Sequence, residues 1–427
     1  MKVAVIGGGS TYTPELIDGI LQRHDRLPVS VIHLVDIDLA RLTIIAAFAK
    51  RMVKAAGRDI EIEFSTDARK GIRGASFVIS QFRVGSQKAR HRDEMLGRKY
   101  GLVGQETVGV GGFAKALRTI PVALNIAQII QEEAPDAMLL NFTNPAGLIT
   151  QALKTHAPKV KSIGLCNVPW NTRIEIAGAL NVPAALVEFD YVGLNHLSWI
   201  RGVKVNGVDR SPEAIAAFRG LTINKATPGD SPAWIQSTID YLEAIPNYYL
   251  LYYYEEKAWV TYQLNNPTRA SEVMKIEEAL MAKFADEAIV TKPLELMERG
   301  GAYYSDSAAE LMADIHSDAG TIHIVNTLNN GAIAGFADDA VMEIPAVITK
   351  SGAQSIKSGA MRSDIDALVR SVKDFEMLTI DAATTGSEQS ALLALLANPI
   401  GPDSSQARDL WKDLRAENNG LIGLFNE

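Results

Sequence analysis

The single cysteine and one of the seven histidines of this 427-residue chain lie in loops that could share a metal ion. Cys166 follows the apolar residues 162–165, and His196 follows the apolar residues 191–194. If both runs are strands, the thiol and the imidazole lie just past strand ends, where open α/β sheets bind ligands. Two protein ligands would leave coordination positions open for water or substrate. Alone, the pair is a weak signal, because a lone histidine more often forms structural hydrogen bonds.

The first residues of the chain predict a dinucleotide-binding loop. A glycine run follows the apolar residues 3–6 and precedes a predicted helix at residues 14–21, for which Thr13 is a plausible N-cap. Glycines let the backbone turn tightly and approach a pyrophosphate, which then rests on the helix N-terminus. Tyr12 stands where the usual third glycine would be, so the loop alone is a weak motif.

An acidic residue strengthens the nucleotide prediction. Asp36 ends the second predicted strand, residues 31–35, where a carboxylate can accept hydrogen bonds from ribose hydroxyls. The same charge would repel a 2′-phosphate, so NAD is favoured over NADP. The predicted NAD-binding residues are Gly7, Gly9, Ser10, Thr11 and Asp36.

Strand-like and helix-like segments alternate through the first part of the chain. Further apolar runs lie at residues 77–82, 138–142 and 162–165, and helical periodicity is found at residues 39–56 and 114–133. This alternation predicts a doubly wound parallel sheet of the α/β class, that is, an NAD-binding Rossmann domain over residues 1–170.

The remainder, residues 171–427, has a mixed pattern. Strands are predicted at residues 191–194, 199–205, 321–325 and 341–348, with a hairpin turn at Asn206-Gly207 and a mostly helical, aromatic-rich stretch at 230–315. We interpret this part as an α+β domain that binds substrate and metal and forms the oligomer contacts. The two-part plan is similar to that of lactate and malate dehydrogenases, with the boundary near residue 170.

The composition excludes several classes of protein. A net charge of −8 argues against a general nucleic-acid binder, and no apolar run is expected to span a bilayer. One cysteine cannot form an internal disulfide framework, so a reducing compartment is expected. We therefore expect a cytoplasmic enzyme with neither a nucleic-acid nor a membrane partner.

Several uncommon motifs occur together in one order along the chain. They are Gly7 to Leu16 (GGGSTYTPEL), Gly104 to Thr107 (GQET), Asn141 to Pro145 (NFTNP), Gly164 to Pro169 (GLCNVP), Gly193 to His196 (GLNH), Tyr249, Arg269 and Arg299 to Ser305 (RGGAYYS). Together they resemble glycoside hydrolase family four, and particularly its 6-phospho-β-glucosidases. Members of this family are NAD-dependent exceptions to hydrolysis by two carboxylates.

The resemblance implies an unusual route of hydrolysis. NAD takes a hydride from carbon 3 of the sugar, and the new ketone acidifies the proton on carbon 2. A base removes that proton while a metal ion stabilises the enediolate, and the group on carbon 1 is eliminated. Water then adds and the hydride returns, so NAD is recycled and the products are glucose 6-phosphate and an aglycone.

The resemblance also assigns residues to the metal and the base. Cys166 and His196 would hold a divalent cation, and Tyr249 would be the base. The family implies manganese, although a thiolate prefers softer ions such as zinc, iron or cobalt. The ordinary pKa of tyrosine is high for a base, and Tyr249 could instead pack within its aromatic run.

Substrate contacts follow from the same matched positions. The resemblance assigns Arg90, Asn144 and Arg269 to the phosphorylated sugar, although a surface salt bridge is the default interpretation of either arginine. At position 167 the α-specific relatives carry an aspartate proposed as proton donor. Asn167 cannot ionise, which favours β-linked substrates and a role in binding sugar hydroxyls. Glu106 is a candidate acid.

Two other functions remain open at this point. An NAD-dependent 2-hydroxy acid dehydrogenase has a similar two-part plan but normally needs no thiol ligand. A non-catalytic NAD-sensing protein would not need Cys166, His196 and Tyr249 together. The resemblance implies a phosphorylated disaccharide or aryl glucoside as substrate, and a homodimer or homotetramer as the assembly.

Overall fold

A computed structural model of the chain describes residues 1–223, 232–299 and 304–425. Strands and helices alternate in its first part: β1 (Lys2–Ile6), α1 (Thr13–Gln22), β2 (Val31–Val35), α2 (Leu39–Ala55), β3 (Glu61–Ser65), α3 (Ala68–Ile72), β4 (Phe77–Ser80), α4 (Ser86–Lys99), α5 (Gly109–Glu133), β5 (Met138–Asn141), α6 (Ala146–His156), β6 (Lys161–Gly164) and α7 (Val168–Ala179).

The later elements are mixed, as the sequence predicts. They are β7 (Val187–Leu194), β8 (Leu197–Val205), β9 (Val208–Asp209), α8 (Ser211–Ile223), α9 (Gln236–Leu242), β10 (Ile245–Pro246), α10 (Leu251–Tyr254), α11 (Glu256–Asn265), α12 (Arg269–Ala285), α13 (Tyr304–Ser317), β11 (Ile322–Leu328), β12 (Val341–Thr349), β13 (Gly352–Ser355), α14 (Ser363–Thr385), α15 (Glu388–Ala397) and α16 (Ala407–Glu417).

Six parallel strands form the doubly wound sheet that the sequence predicts. Their order is β3-β2-β1-β4-β5-β6, with Ile6 of β1 beside Val35 on one side and Ser80 on the other. Because all six run the same way, the loops after β1, β2, β5 and β6 leave the sheet at one edge. That edge carries the glycine loop, Asp36 and Cys166. The Rossmann prediction is confirmed.

The sheet continues beyond β6 with three strands from the end of the chain. β11 pairs antiparallel with β6 through Asn326 and Gly164, and β12 and β13 follow it to give nine strands. The two halves of the chain therefore share one sheet. The predicted strands at 321–325 and 341–348 exist, and the division at residue 170 stays a prediction.

A smaller antiparallel sheet positions the histidine loop. β7 and β8 pair directly, and the two residues between them, Asn195 and His196, form the turn. Asn206-Gly207 joins β8 to β9 with positive φ at both residues, which confirms the predicted hairpin turn. His196 also has a positive φ, 65°, so this turn holds a backbone conformation that is uncommon for a residue with a side chain.

Two details differ from the sequence prediction. Thr13 does not cap α1: it lies inside the helix, and its hydroxyl donates to the carbonyl of Gly8. Helix α5 is long and apolar enough to cross a membrane by length and composition, although no such segment was expected. Because 72% of its apolar window is buried inside the protein, α5 has the placement of a core helix.

Candidate active site

The structure brings the thiol of Cys166 and the imidazole of His196 together. Cys166 lies between β6 and α7, His196 lies in the β7–β8 turn, and Sγ is 3.5 Å from Nε2. Two ligands about 2.3 Å (sulfur) and about 2.0–2.1 Å (nitrogen) from a tetrahedral cation would be separated by about 3.5 Å. The pair therefore has the spacing of two ligands that share one cation.

The surroundings of the pair fit a cation as well. Burial lowers the pKa of His196 to about 3, so the ring is neutral and its nitrogen can donate a lone pair. Burial and the charge of Glu343 raise the pKa of the Cys166 thiol, while backbone N–H groups of Val168 and Asn167 and the Asn195 amide oppose this shift. A bound cation would supply the positive charge that a buried thiolate needs.

The number of ligands matches a catalytic site better than a structural one. Among residues 1–223, 232–299 and 304–425, no group of three or more His, Cys, Asp and Glu side chains is arranged to hold a metal ion. Cys166 and His196 thus leave coordination positions for substrate oxygens or water. Those hard oxygen ligands would make manganese compatible with a site that contains a thiolate.

Tyr249 lies directly against the metal-binding pair. Its ring stacks on the imidazole of His196 with centroids 3.8 Å apart and planes 8° apart. Asn247 fixes the turn, since its side chain accepts a hydrogen bond from the backbone N–H of Tyr249 at 3.0 Å. Burial, followed by the charges of Cys166 and Glu106, raises the pKa of Tyr249, and Arg90 opposes the shift. A base at this position needs an added positive charge, which a cation on His196 would provide.

Glu106 lies in a cluster of cations that the sequence analysis missed. It forms ion pairs with Arg83, with Arg90 at 3.2 Å and with Lys115 at 2.7 Å. Burial acts to raise the pKa of Glu106, but the three cations outweigh it and hold that pKa well below the ordinary value. These ion pairs favour the ionised form of Glu106 and argue against a role as proton donor, so the candidate acid stays a prediction.

The glycine loop has the shape required for a dinucleotide. Gly7 has a φ of +90°, and a Cβ on it would lie 2.8 Å from the backbone of Phe82. A Cβ on Gly9 would lie 2.9 Å from the Asp36 carboxylate, whose oxygen instead accepts a hydrogen bond from the Gly9 N–H at 2.9 Å. The loop and the acidic residue are thus joined, and both precede a helix N-terminus.

The polar residues of this loop have different surroundings. The Ser10 hydroxyl accepts a hydrogen bond from the Tyr12 N–H at 3.2 Å. Thr11 is fully buried, and its hydroxyl has no hydrogen-bond partner within the described part of the chain. Tyr12, in place of the third glycine, lies under the guanidinium of Arg299 at 4.7 Å. An unsatisfied buried hydroxyl in such a loop is consistent with a bound nucleotide.

The residues predicted to bind substrate differ in their surroundings and in their distance from the metal pair. Asn167 follows Cys166 and is the N-cap residue of α7, and Asn144 accepts a hydrogen bond from the N–H of Ala146 at 3.3 Å. Arg90 is buried between Glu94 and Glu106. The guanidinium of Arg269 is half-exposed and bonded to Glu272 and the carbonyl of Glu298, so within the described residues it is not brought to the metal pair. Residues 300–303 of the last motif lie outside the described residues.

The sequence of the chain matches a known family over most of its length. Residues 2–182 match the family described as Family 4 glycosyl hydrolase, and residues 191–401 match its C-terminal domain. A probable 6-phospho-β-glucosidase of Bacillus subtilis is 41% identical over 100% of this chain and 98% of its own length.

Solved structures with a similar fold include a member of the same class of enzyme. One is the 6-phospho-β-glucosidase from Thermotoga maritima with manganese, NAD+ and glucose 6-phosphate, which has a TM-score of 0.92, 38% identity and 99% coverage of both chains. Malate dehydrogenase of Cryptosporidium parvum, at 14% identity, covers 90% of this chain and 99% of its own with a TM-score of 0.53. That likeness concerns the fold alone and confirms the expected dehydrogenase-like plan. The chain belongs to family 4 of the glycosyl hydrolases.

Proposed function

We propose that this chain hydrolyses 6-phospho-β-glucosides to glucose 6-phosphate and an aglycone, with NAD and a divalent cation, manganese, as cofactors. The observation that carries the proposal is the contact of three side chains: Cys166 and His196 at the spacing of shared metal ligands, and Tyr249 stacked on His196. A simple NAD-dependent dehydrogenase of hydroxy acids has no need for a thiol ligand with a tyrosine against it. Bound NAD would store a hydride during turnover, and the cation would stabilise negative charge on sugar oxygens.

The chain's own residues have distinct tasks in this proposal. The Tyr249 oxygen would remove the proton on carbon 2 of the sugar, because its ring is held against the metal ligand His196. Asn167, next to Cys166, would hydrogen-bond a sugar hydroxyl and cannot donate an acidic proton. Its amide is consistent with a β-linked substrate, the class named for the two similar glucosidases.

The NAD-binding residues would be Gly7, Gly9, Ser10, Thr11 and Asp36, with the nicotinamide directed along the sheet edge towards Cys166. β1 and β6 are three strand spacings apart, about 14 Å, which places both loops on one continuous edge. Asp36 would accept hydrogen bonds from the adenosine ribose.

Substrate phosphate and sugar hydroxyls would be bound by Arg90, Asn144 and Arg269. Support for Arg90 is its positive charge, which acts to lower the pKa of Tyr249, and its ion pair with Glu106. Arg269 would have to exchange Glu272 for the substrate, which is feasible because an exposed ion pair is weak. Residues 1–170 would thus bind NAD, while residues 171–427 would complete the substrate and metal site.

We also propose a homo-oligomer, a dimer or tetramer, in the bacterial cytoplasm. The bacterial origin of the similar glucosidases and the single buried cysteine support this setting. Size-exclusion chromatography with light scattering would measure the assembly directly.

The proposed activity is tested with p-nitrophenyl 6-phospho-β-glucoside. Release of nitrophenol should require NAD, a divalent cation and a reductant together, and should be absent with the unphosphorylated sugar. The α-linked and galacto-configured analogues serve as further controls. In heavy water the product should carry deuterium at carbon 2, since a proton held on Tyr249 exchanges with solvent.

The same assay separates the alternatives. A 2-hydroxy acid dehydrogenase would release no nitrophenol and would accumulate NADH when it is given a 2-hydroxy acid, whereas the proposed enzyme should release nitrophenol with no net NADH. An NAD-sensing protein would bind NAD and release no nitrophenol. Either result would remove the proposed function.

A further inference from the structure

Glu343 is a buried acidic residue that the proposed chemistry does not use. It lies in β12 opposite Asn326 of β11, within a strand whose neighbouring positions are apolar, and its exposed fraction is 0%. A carboxylate so deeply buried is costly unless its charge is compensated. Its position in the sheet therefore needs an explanation beyond packing.

The hydrogen bonds of Glu343 all come from neutral groups. Its oxygens accept hydrogen bonds from Tyr191 at 2.6 Å and Asn195 at 2.9 Å, and longer ones from Asn326 and Ser198. None of the described residues supplies a Lys, Arg or His side chain to it. Two other buried acids are different, since Asp93 is paired with Arg118 and Glu376 with Lys373. Within the described residues Glu343 thus has no cationic partner, and burial raises the pKa of its carboxyl. A cation bound nearby would favour its ionised form.

One of these hydrogen bonds leads to the metal ligands. Asn195 precedes His196 in the β7–β8 turn, donates its amide N–H to Glu343 and accepts a hydrogen bond from the Gly147 N–H at 3.3 Å. The Asn195 side chain also lies within hydrogen-bonding reach of the Cys166 thiol. Asn195 therefore lies between Glu343 and both residues that would hold the cation.

A second branch leads from Glu343 to Tyr249. Ser198 contacts Glu343 and accepts a hydrogen bond from the Asn247 amide at 3.0 Å, and Asn247 in turn receives the backbone N–H of Tyr249. The metal-binding turn and the turn that carries Tyr249 are consequently both hydrogen-bonded to one network around the same carboxylate.

We propose that Glu343 is a positioning residue of the metal site, which fixes Cys166, His196 and Tyr249 relative to one another and supplies the second negative charge that balances the divalent cation. One thiolate and one carboxylate together neutralise a charge of +2, and no side-chain cation in the described residues competes for Glu343. Outer-shell groups of this kind affect metal affinity about 10–100-fold. The inference rests on the proposed function, because it needs the cation to bind at Cys166 and His196.

The test measures metal binding in the full-length, NAD-saturated protein. Free Mn²⁺ is followed by electron paramagnetic resonance during titration of the wild type, Glu343→Gln, Glu343→Asp and the matched control Glu376→Gln. We expect the Kd for Mn²⁺ to rise about 10–100-fold in Glu343→Gln, less in the charge-conserving Glu343→Asp, and less than threefold in the control. The Kd for NAD should stay within twofold in all four proteins.

A spectroscopic signal separates positioning from general destabilisation. With Co²⁺ as the probe, the thiolate-to-metal absorption band should shift or weaken in Glu343→Gln and stay unchanged in Glu376→Gln. If Glu343→Gln does not fold, Asn195→Ser, which removes only the bridging amide, should weaken Mn²⁺ binding about tenfold. Wild-type affinity in the folded Glu343→Gln protein, or an equal loss in the Glu376→Gln control, overturns the inference while leaving the proposed function intact. A wild-type protein that binds no Mn²⁺ overturns both.

Discussion

The imidazole of His196 and the phenol ring of Tyr249 lie face to face, with centroids 3.8 Å apart and planes within 8°. One of these residues is a predicted metal ligand and the other is the predicted base. The stack makes the orientation of the phenol depend on the imidazole, and both depend on turns held by Asn195 and Asn247.

This contact also has an electrostatic consequence. Burial, Cys166 and Glu106 all raise the pKa of Tyr249, so the phenol alone would be a poor base near neutral pH. A cation held by His196 would favour the ionised form of Tyr249, because the two rings are stacked. Loss of metal should therefore impair Tyr249 as well as substrate binding.

Replacement of Tyr249 by phenylalanine tests the assignment of the base. Tyr249→Phe retains the aromatic stack on His196 and loses only the hydroxyl, so we expect kcat to fall about 10²–10⁴-fold. The Kd values for NAD and Mn²⁺, measured by fluorescence and by titration calorimetry, should change less than threefold.

The neighbouring ring of Tyr248 provides the matched control. It contacts Tyr249 edge-on at 6.3 Å and is half-exposed. Tyr248→Phe should keep kcat within threefold of the wild type. A Tyr249→Phe protein with comparable activity would remove Tyr249 from the mechanism.

Asp36 should determine both the affinity for NAD and the preference over NADP. In Asp36→Ala the ribose loses a charged hydrogen-bond acceptor, and the Kd for NAD should rise about 10–100-fold. The affinity for NADP should fall less or improve, because the repulsion of its 2′-phosphate is removed. Equilibrium titration of both dinucleotides gives the ratio.

Asp38 is a nearby carboxylate with a different task. It caps α2 by accepting the N–H of Arg41 at 3.0 Å, so Asp38→Ala should lower the free energy of unfolding by about 1 kcal/mol. The Asp38→Ala protein should keep the wild-type preference for NAD over NADP. Equal NAD preference in Asp36→Ala and the wild type would contradict the assignment of Asp36.

Much of the fold and part of the site could be predicted from local sequence. Strands alternating with helices predict a parallel sheet, and parallel strands bring the loops after β1, β2 and β6 to one edge. The common edge of parallel strands was enough to predict that the glycine loop, Asp36 and Cys166 lie near one another. The convergence of His196 was only weakly indicated by the residues, because β7 belongs to a different sheet, and the family resemblance strengthened it.

The features that sequence analysis missed depend on contacts between distant segments. β11 extends the Rossmann sheet by pairing with β6, more than 150 residues earlier, and no local pattern specifies that partner. Arg83, just before α4, and Arg90, within α4, meet Glu106 because α4 and α5 pack together. One feature of the sequence could have pointed to Glu343: it is the single charged residue within the apolar run of β12.

Lys115 should make stability depend on pH. Burial, followed by the charge of Arg83, lowers its pKa from 10.5 to about 7. Between those two values the unfolded chain binds the proton and the folded chain does not, so the contribution of Lys115 to stability increases with pH. The slope is at most about 1.4 kcal/mol per pH unit for one group.

The comparison is made with Lys115→Met. From pH 7 to pH 10 the melting temperature of the wild type should rise relative to that of the variant, whereas below pH 7 their difference should be constant. Lys88→Met, at an exposed position of α4, should track the wild type throughout. A difference independent of pH would show that Lys115 keeps its proton across this range.

Substitutions in the buried ion pair of Arg118 and Asp93 should lower the free energy of unfolding strongly. The effects of the two single substitutions should not add in the double variant. Both side chains are 1% exposed, and Arg118 donates to both carboxylate oxygens of Asp93 and to Asn418. Arg118→Met leaves Asp93 buried without a cation and should cost about 3–5 kcal/mol in denaturant unfolding. In the double variant Asp93→Asn/Arg118→Met the uncompensated charge is gone, so it should be more stable than Arg118→Met alone. If the two single losses simply add, the pair does not interact as the structure indicates, and the destabilisation arises from packing around α5.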